Sequence, residues 1–293
     1  MTRARAPGKA LLAGEYAVLE GATAIVAAIA RHAIADTAGP PSDRPEVVRV
    51  ARALGAAPPA VEVGAFAVAG RKLGLGSSAA AAVAAAGAIR ADRGDDLADA
   101  GTRAALLPLV VAEHRAAQGG VGSGADVAAA LYGGIVSVEP GPPLRVRPAP
   151  IGGGIALVLA DAGEGARTAP LARAALEHGL PAPLREAAPA LAEALARGGL
   201  ESIGRAAALH LRGLQELGRL VGRALVSDGF RAIEHEARAL GGVAKPSGAG
   251  GGELTVVFVS ADRADALAAR LRSGGRWAEC AAIDPEGVRV VAG

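Results

Sequence analysis

The sequence predicts an α+β protein built as two domains, and three observations predict it. Short apolar runs of strand character at residues 4–35, 60–69 and 135–138 surround a long alanine-rich helical segment. From residue 155 onward, two apolar strands bracket a series of helical patterns, as expected for helices on one face of an antiparallel sheet. Between these halves, Glu139–Pro150 carries prolines at 140, 142, 143, 148 and 150, and Gly152–Gly154 follow directly. That punctuation divides the chain into 1–150 and 151–293.

Composition narrows the class. A chain of 293 residues suits one large or two modest domains. Its hydrophobic content of 51% is ample for a core, but aromatics make up only 2%, so packing falls to Leu, Val, Ile and Ala. A nucleic-acid surface built on base stacking is therefore not expected. The 31 basic and 29 acidic residues nearly cancel. Only three of the basic residues are lysines, Lys9, Lys72 and Lys245, and each lies in or beside a glycine-containing stretch. A chain that uses arginine elsewhere but lysine there points to a need for a compact charge at those places. Cys280 is the sole cysteine, so no intrachain disulfide can form, which fits a cytoplasmic protein. The N-terminus lacks the apolar core of a signal peptide, and no window is apolar enough to span a bilayer. The expected partner is a small molecule, with neither nucleic acid nor membrane; a homodimer is the assembly left open.

Taken in order, residues 4–35 read as strand, turn, strand. Pro7 and Gly8 put Lys9 on a loop or strand edge, with Glu15 and Tyr16 near the same surface. The plainer alternative is a solvated hairpin lysine with Glu15 as its surface partner. A short helix is expected at 46–54 and a strand at 60–69. Then comes LGLGSS, residues 73–78, followed by alanine at every position of 79–86 except Val83. Gly74 and Gly76 allow close backbone approach, the serines can cap a helix, and alanine propagates it. The start of such a helix is an anion site, with phosphate the expected anion. A capped core helix is the bland alternative. Helical pattern resumes at Leu97–Ala117, with Glu113 and His114 near its end. In GSGAD, Ser123 and Gly124 lead to Asp126 at the start of a short helix, 127–131, where a plain N-cap is the competing role.

In the second half a buried strand is expected at Ile155–Ala160. Helices follow at 170–178, 183–197, 200–220 and 223–240. The five histidines form no HxxxH pair, so no zinc site is expected. Lys245, Pro246 and Ser247 then lead Gly248, Ala249, Gly250, Gly251 and Gly252 into an apolar strand ending at Val259. A glycine run before a buried strand lets backbone approach a ligand. A helix at 261–272 and a strand near 287–291 end the chain.

Three stretches, APGKALLAGEYAVL, KLGLGSSAA and KPSGAGGGE, together with GSGADVAAALYGG, stand in an order that resembles the GHMP kinase superfamily. Within it the wording is most similar to the phosphomevalonate kinases, with mevalonate kinases next. Gly-Glu-Tyr stands where the latter tend to have Gly-Glu-His, and no proline precedes the central loop. Ala166-Arg167-Thr168 departs from the small triplet of that branch. The resemblance implies a two-domain α+β fold with its active site in the cleft between domains, and ATP with Mg²⁺ as cofactors. It places Lys72, Gly74, Leu75, Gly76, Ser77 and Ser78 at the nucleotide, with Ser78 and Glu113 as metal ligands. Lys9 and Asp126 would be a catalytic pair. Glu15, Tyr16, Ser123, Gly124, Arg167, Ser247, Gly248, Ala249 and Gly250 would meet the acceptor. Phosphomevalonate is the expected acceptor, and mevalonate the alternative. A related decarboxylase and a catalytically silent relative are the competing classes.

Overall fold

The computed structural model describes residues 1–163, 168–250 and 254–291. The first half runs β1 (Arg3–Ala13), β2 (Ala24–Asp36), α1 (Pro45–Ala53), β3 (Ala60–Glu62), β4 (Ala67–Val68) and β5 (Arg71–Lys72), then α2 (Ser77–Asp92), α3 (Ala100–Ala117), α4 (Ala125–Tyr132), β6 (Ile135–Glu139) and β7 (Arg145–Pro148). The second runs β8 (Ile155–Asp161), α5 (Thr168–His178), α6 (Ala182–Arg197), α7 (Leu200–Leu220), α8 (Asp228–Ala239), β9 (Val243–Ser247), β10 (Leu254–Ser260), α9 (Ala264–Ser273), β11 (Ala278–Cys280) and β12 (Arg289–Val290). Helices and antiparallel sheets are thus combined as the sequence predicts. One sheet has the order β12-β1-β2-β6-β7 with β3 also on β2, a second has the order β11-β8-β10-β9, and β4 and β5 form a small third.

β1 shows why its residues make a strand. Ala4, Ala6, Ala10 and Leu12 are fully buried and alternate with Arg3, Arg5, Lys9 and Leu11 on the other face. Lys9 therefore lies within β1 and not on a loop, at a stretch where β2 pairs one side of the strand and the central loop meets the other. The register against β2 shifts between Pro7 and Gly8, where a β-carbon would meet the Leu75 carbonyl at 2.7 Å. The glycine lets the central loop press onto the strand.

The alanine helix α2 is buried on every side, with Ala79–Ala86 at no more than 1% exposure. Side chains this small let β1, β2, α1, α3 and α4 all pack close to its axis, and alanine loses no rotamer freedom there. Its N-cap is Gly76, in the left-handed region, and no side chain caps it. The expected serine cap is therefore not made. α3 starts later than the periodicity suggests, because Asp99 accepts from the Thr102 amide at 2.7 Å and sets the start. The single strand expected at 60–69 is broken by a 3-10 turn at Gly64–Phe66.

The stretch read as a boundary is partly ordered sheet: β7 is an edge strand on β6, where Pro148 is tolerated. The chain end also crosses back, since β12 pairs with β1 through Ala4 and Arg5. Residues near 290 thus belong to the first sheet, which the division at 151–293 does not capture. α8 and α9 cover the second sheet, while α5, α6 and α7 share an apolar cluster with Tyr16 and Ala17 from the first half.

Candidate active site

A cleft of about 390 Å³ opens between the halves. Its first wall is the central loop. Lys9 donates its backbone N–H to Leu75 O at 2.8 Å, and its Nζ donates to Gly74 O at 3.3 Å. Gly76 has φ +74°, and a β-carbon on it would sit 2.8 Å from Lys9 Cγ. Only glycine serves both the turn and this approach. Gly74, Leu75, Gly76, Ser77 and Ser78 all line the cleft, so the N-terminal end of α2 borders it. Lys72 lines it from the exposed end of β5.

The second wall joins α2, α3 and α4. Ser78 Oγ lies 3.0 Å from His114 Nε2, and Gln118 Nε2 donates to Ser78 Oγ at 3.3 Å. His114 Nδ1 lies 3.9 Å from Asp126 Oδ2. Asp126 is not an N-cap: Gly124 holds that position, and Asp126 accepts from the Val127 amide at 2.9 Å. The expected Lys9–Asp126 ion pair is not formed, although both side chains line the cleft. Glu113 is a second correction. Its carboxylate is paired with Arg49 at 3.0 Å and does not line the cleft. Successive helix residues point about 100° apart, so when His114 faces Ser78, Glu113 cannot.

Ser123 and Gly124 line the cleft on the loop before α4, which Arg115 and Arg173 hold by donating to Gly122 O and Gly119 O. Ser247, Gly248 and Ala249 line it from the second half, whereas Gly250 turns toward Leu225 and does not. Arg167 lies outside the described residues.

Glu15 and Tyr16 border the cleft but are occupied. Glu15 is ion-paired with Lys245, and the Tyr16 hydroxyl donates to Ala249 O. Burial, then the Glu15 charge, pushes the Tyr16 phenol well above its usual range. Burial pulls the Lys245 ammonium below its usual range, against the opposing pull of Glu15. His210, buried beside them, is held well below the ordinary imidazole value by burial and then by Lys245.

Sequence reasoning missed His114, Gln118 and the role of Lys245. His114 and Gln118 are four residues apart on one helix face, a spacing legible in the sequence. The scarcity of lysine was also a signal for Lys245. Among the described residues, no group of three or more His, Cys, Asp or Glu forms a metal cluster. Ser77 and Ser78 at the start of α2, with Asp126 across the cleft, are the oxygen donors there. Such a sparse set fits magnesium, which takes one or two protein oxygens and completes its shell with phosphate and water.

Residues 47–134 match the GHMP kinases N terminal domain, and residues 191–276 match the GHMP kinases C terminal region. With both regions present in that order, the chain belongs to the GHMP kinase family. It is 31% identical over 229 residues to a phosphomevalonate kinase of Streptomyces sp. (strain CL190), covering 66% of this chain. The match spans 59% of that protein's length. Streptococcus pneumoniae phosphomevalonate kinase, solved with phosphomevalonate and AMPPNP, superposes with a TM-score of 0.79 at 20% identity, over 96% of this chain and 100% of that one. Methanococcus jannaschii mevalonate kinase superposes at 0.69 and 17% identity, over 99% and 98%. No helix among the described residues is long and apolar enough to cross a membrane.

Proposed function

We propose that the protein is an ATP-dependent small-molecule kinase that phosphorylates phosphomevalonate, giving diphosphomevalonate. The observation that carries the reading is the packing of Lys9 against the Gly74–Gly76 loop at the N-terminus of α2. This sets a cation beside a backbone anion cradle in one cleft. The kinases named above support the reading, since their own substrates would need the same arrangement.

Phosphoryl transfer depends on positioning and charge neutralisation. The N–H groups and dipole of α2 bind the nucleotide's β and γ oxygens. Lys9 serves the charge on the transferring group and on the attacking oxygen. A magnesium ion, when bound, neutralises phosphate charge, and Ser78 would hold it. The acceptor's phosphate oxygen attacks the γ-phosphorus, the bond to the bridging oxygen breaks, and ADP leaves. Charge favours a phosphorylated acceptor: Lys9, Lys72 and Arg115 line the cleft, while Glu15 is neutralised by Lys245 and Asp126 remains as the carboxylate. Such an acceptor, with a second pKa near ~6, is already anionic at pH 7 and needs no base. Mevalonate is the second reading. Asp126 would then accept the alcohol's proton.

An assay of ADP release over phosphomevalonate, mevalonate, galactose and homoserine tests the proposal. Phosphomevalonate should be preferred, and Lys9→Met should abolish turnover. Asp126→Asn should cost well under the ~10²–10⁴-fold typical of losing a base. Efficient turnover of mevalonate alone, with a large Asp126→Asn defect, would move the assignment to the alcohol. Carbon dioxide in the same tubes would indicate a decarboxylase.

A further inference from the structure

Four residues read from the sequence as acceptor contacts take part in bonds across the cleft floor, although Glu15 Oε2 is buried without a hydrogen-bond partner. Ser247 Oγ accepts from Leu11 N–H at 3.0 Å and donates to Leu11 O at 3.0 Å. The Tyr16 hydroxyl donates to Ala249 O. Glu15 accepts from Lys245 Nζ, which also donates to Pro246 O at 2.8 Å. All three connections join the β1-to-Tyr16 segment of the first half to β9 and its following turn in the second.

Burial makes the ion pair the centre of this arrangement. Lys245 is 0% exposed and Glu15 is 2% exposed. Two charges so deep are tolerable only as partners, and removing one leaves the other stranded. Tyr16 adds a second constraint: its φ is +60°, which residues other than glycine seldom adopt. Its ring belongs to an apolar cluster with Leu214 and Leu225, which holds it there. Lys9 lies two residues before Leu11 on the same strand. A β-carbon on Gly248 would sit 3.9 Å from Lys9 Nζ, so the tie at Leu11 and Ser247 sets how closely that turn approaches the Lys9 amine.

We propose that Lys245 is a positioning residue. Paired with Glu15 beneath the cleft, it locks the Lys9 strand to the Gly248 turn at the separation that phosphoryl transfer requires. Glu15 and Tyr16 serve this strut and do not touch the acceptor. The assignment rests on the kinase reading above for the role of Lys9, but the strut itself is measurable without turnover.

The test compares wild type with Lys245→Met, Glu15→Gln, the double variant and Tyr16→Phe. Hydrogen exchange is followed at the Leu11 amide and across 248–250, and kcat and KM are measured separately. Each single charge variant should speed exchange in both segments. It should also lower kcat ~10–10²-fold, the scale of an ångström-sized misplacement, with KM for ATP and acceptor nearly unchanged. The double variant, with neither charge stranded, should recover kcat and protection relative to either single. Tyr16→Phe should shift both readouts the same way by less. If Lys245→Met does not fold, the double variant and Tyr16→Phe carry the comparison. A double variant no better than the worse single overturns the strut. So does an acceptor KM that rises in Glu15→Gln while kcat holds. Should wild type turn over none of the acceptors, the kinase reading fails, and exchange alone decides the strut: unchanged protection overturns it.

Discussion

Ser78 is held by His114 and Gln118, which also contact each other directly at 2.8 Å. Ser78→Ala should therefore fold normally, with an unchanged melting temperature. Magnesium-dependent turnover should fall by more than the ~10–100-fold typical of losing a ligand's own hydrogen-bond partner. Unchanged kinetics across a magnesium titration would remove Ser78 from the site. Gly76 makes a different demand. Valine there would meet Lys9 Cγ and adopt φ +74°, a region that costs a β-branched residue ~1–2 kcal/mol or more. Gly76→Val should lose ATP binding in calorimetry. A folded variant with normal affinity would reduce the loop to a structural turn.

The helices show how contact geometry can reverse a local preference. Gly213 lies inside α7, where helix propensity alone favours alanine by ~1 kcal/mol. Its missing β-carbon faces α6, however, with Leu184 N at 2.7 Å and Leu184 Cγ at 2.5 Å. Filling that contact forces the helices apart, at ~1–3 kcal/mol. Packing outweighs propensity, so Gly213→Ala should lower unfolding stability by about 1 kcal/mol. A stabilised variant in a denaturant titration would show that the crossing can relax. α2 follows the same logic in reverse: nine of its sixteen residues are alanine, and strands and helices crowd its surface.

Across the whole molecule, ionisable groups are buried where distant parts of the chain meet, and two of them set different pH windows. His210 on α7 lies 4.0 Å from Glu15 of the first half. Its folded pKa is depressed, so the unfolded chain takes up the proton first as pH falls below ~6.5. Its contribution is complete above that value and is lost progressively below it. Asp284 anchors the returning tail through Arg289 and the Gly287 amide, and it meets His32 at 2.6 Å. Burial would raise its pKa, but the bonds from Arg289 and His32 prevail and hold it below the usual carboxylate range. Its share is lost only below ~3.9. Unfolding measured from pH 8 to 5 should thus show a slope that disappears in His210→Gln. An identical slope in the variant would assign it to other groups.

The sequence by itself determined the α+β class, the central loop and its helix, and most of the residues that meet in the cleft. These are local properties: glycine where backbone must approach, alanine where a helix must be thin, and apolar periodicity that marks strands and helices. Only the tertiary structure decided which neighbours those residues keep. It placed His114 instead of Glu113 at Ser78, because helical phase depends on where α3 packs. It gave Glu15 and Tyr16 protein partners at the cleft border, Lys245 and Ala249, which lie more than two hundred residues away. It also returned β12 to the first sheet. Contacts between residues so far apart in the chain leave no periodic mark in it, because each depends on a fold made by all the elements between them.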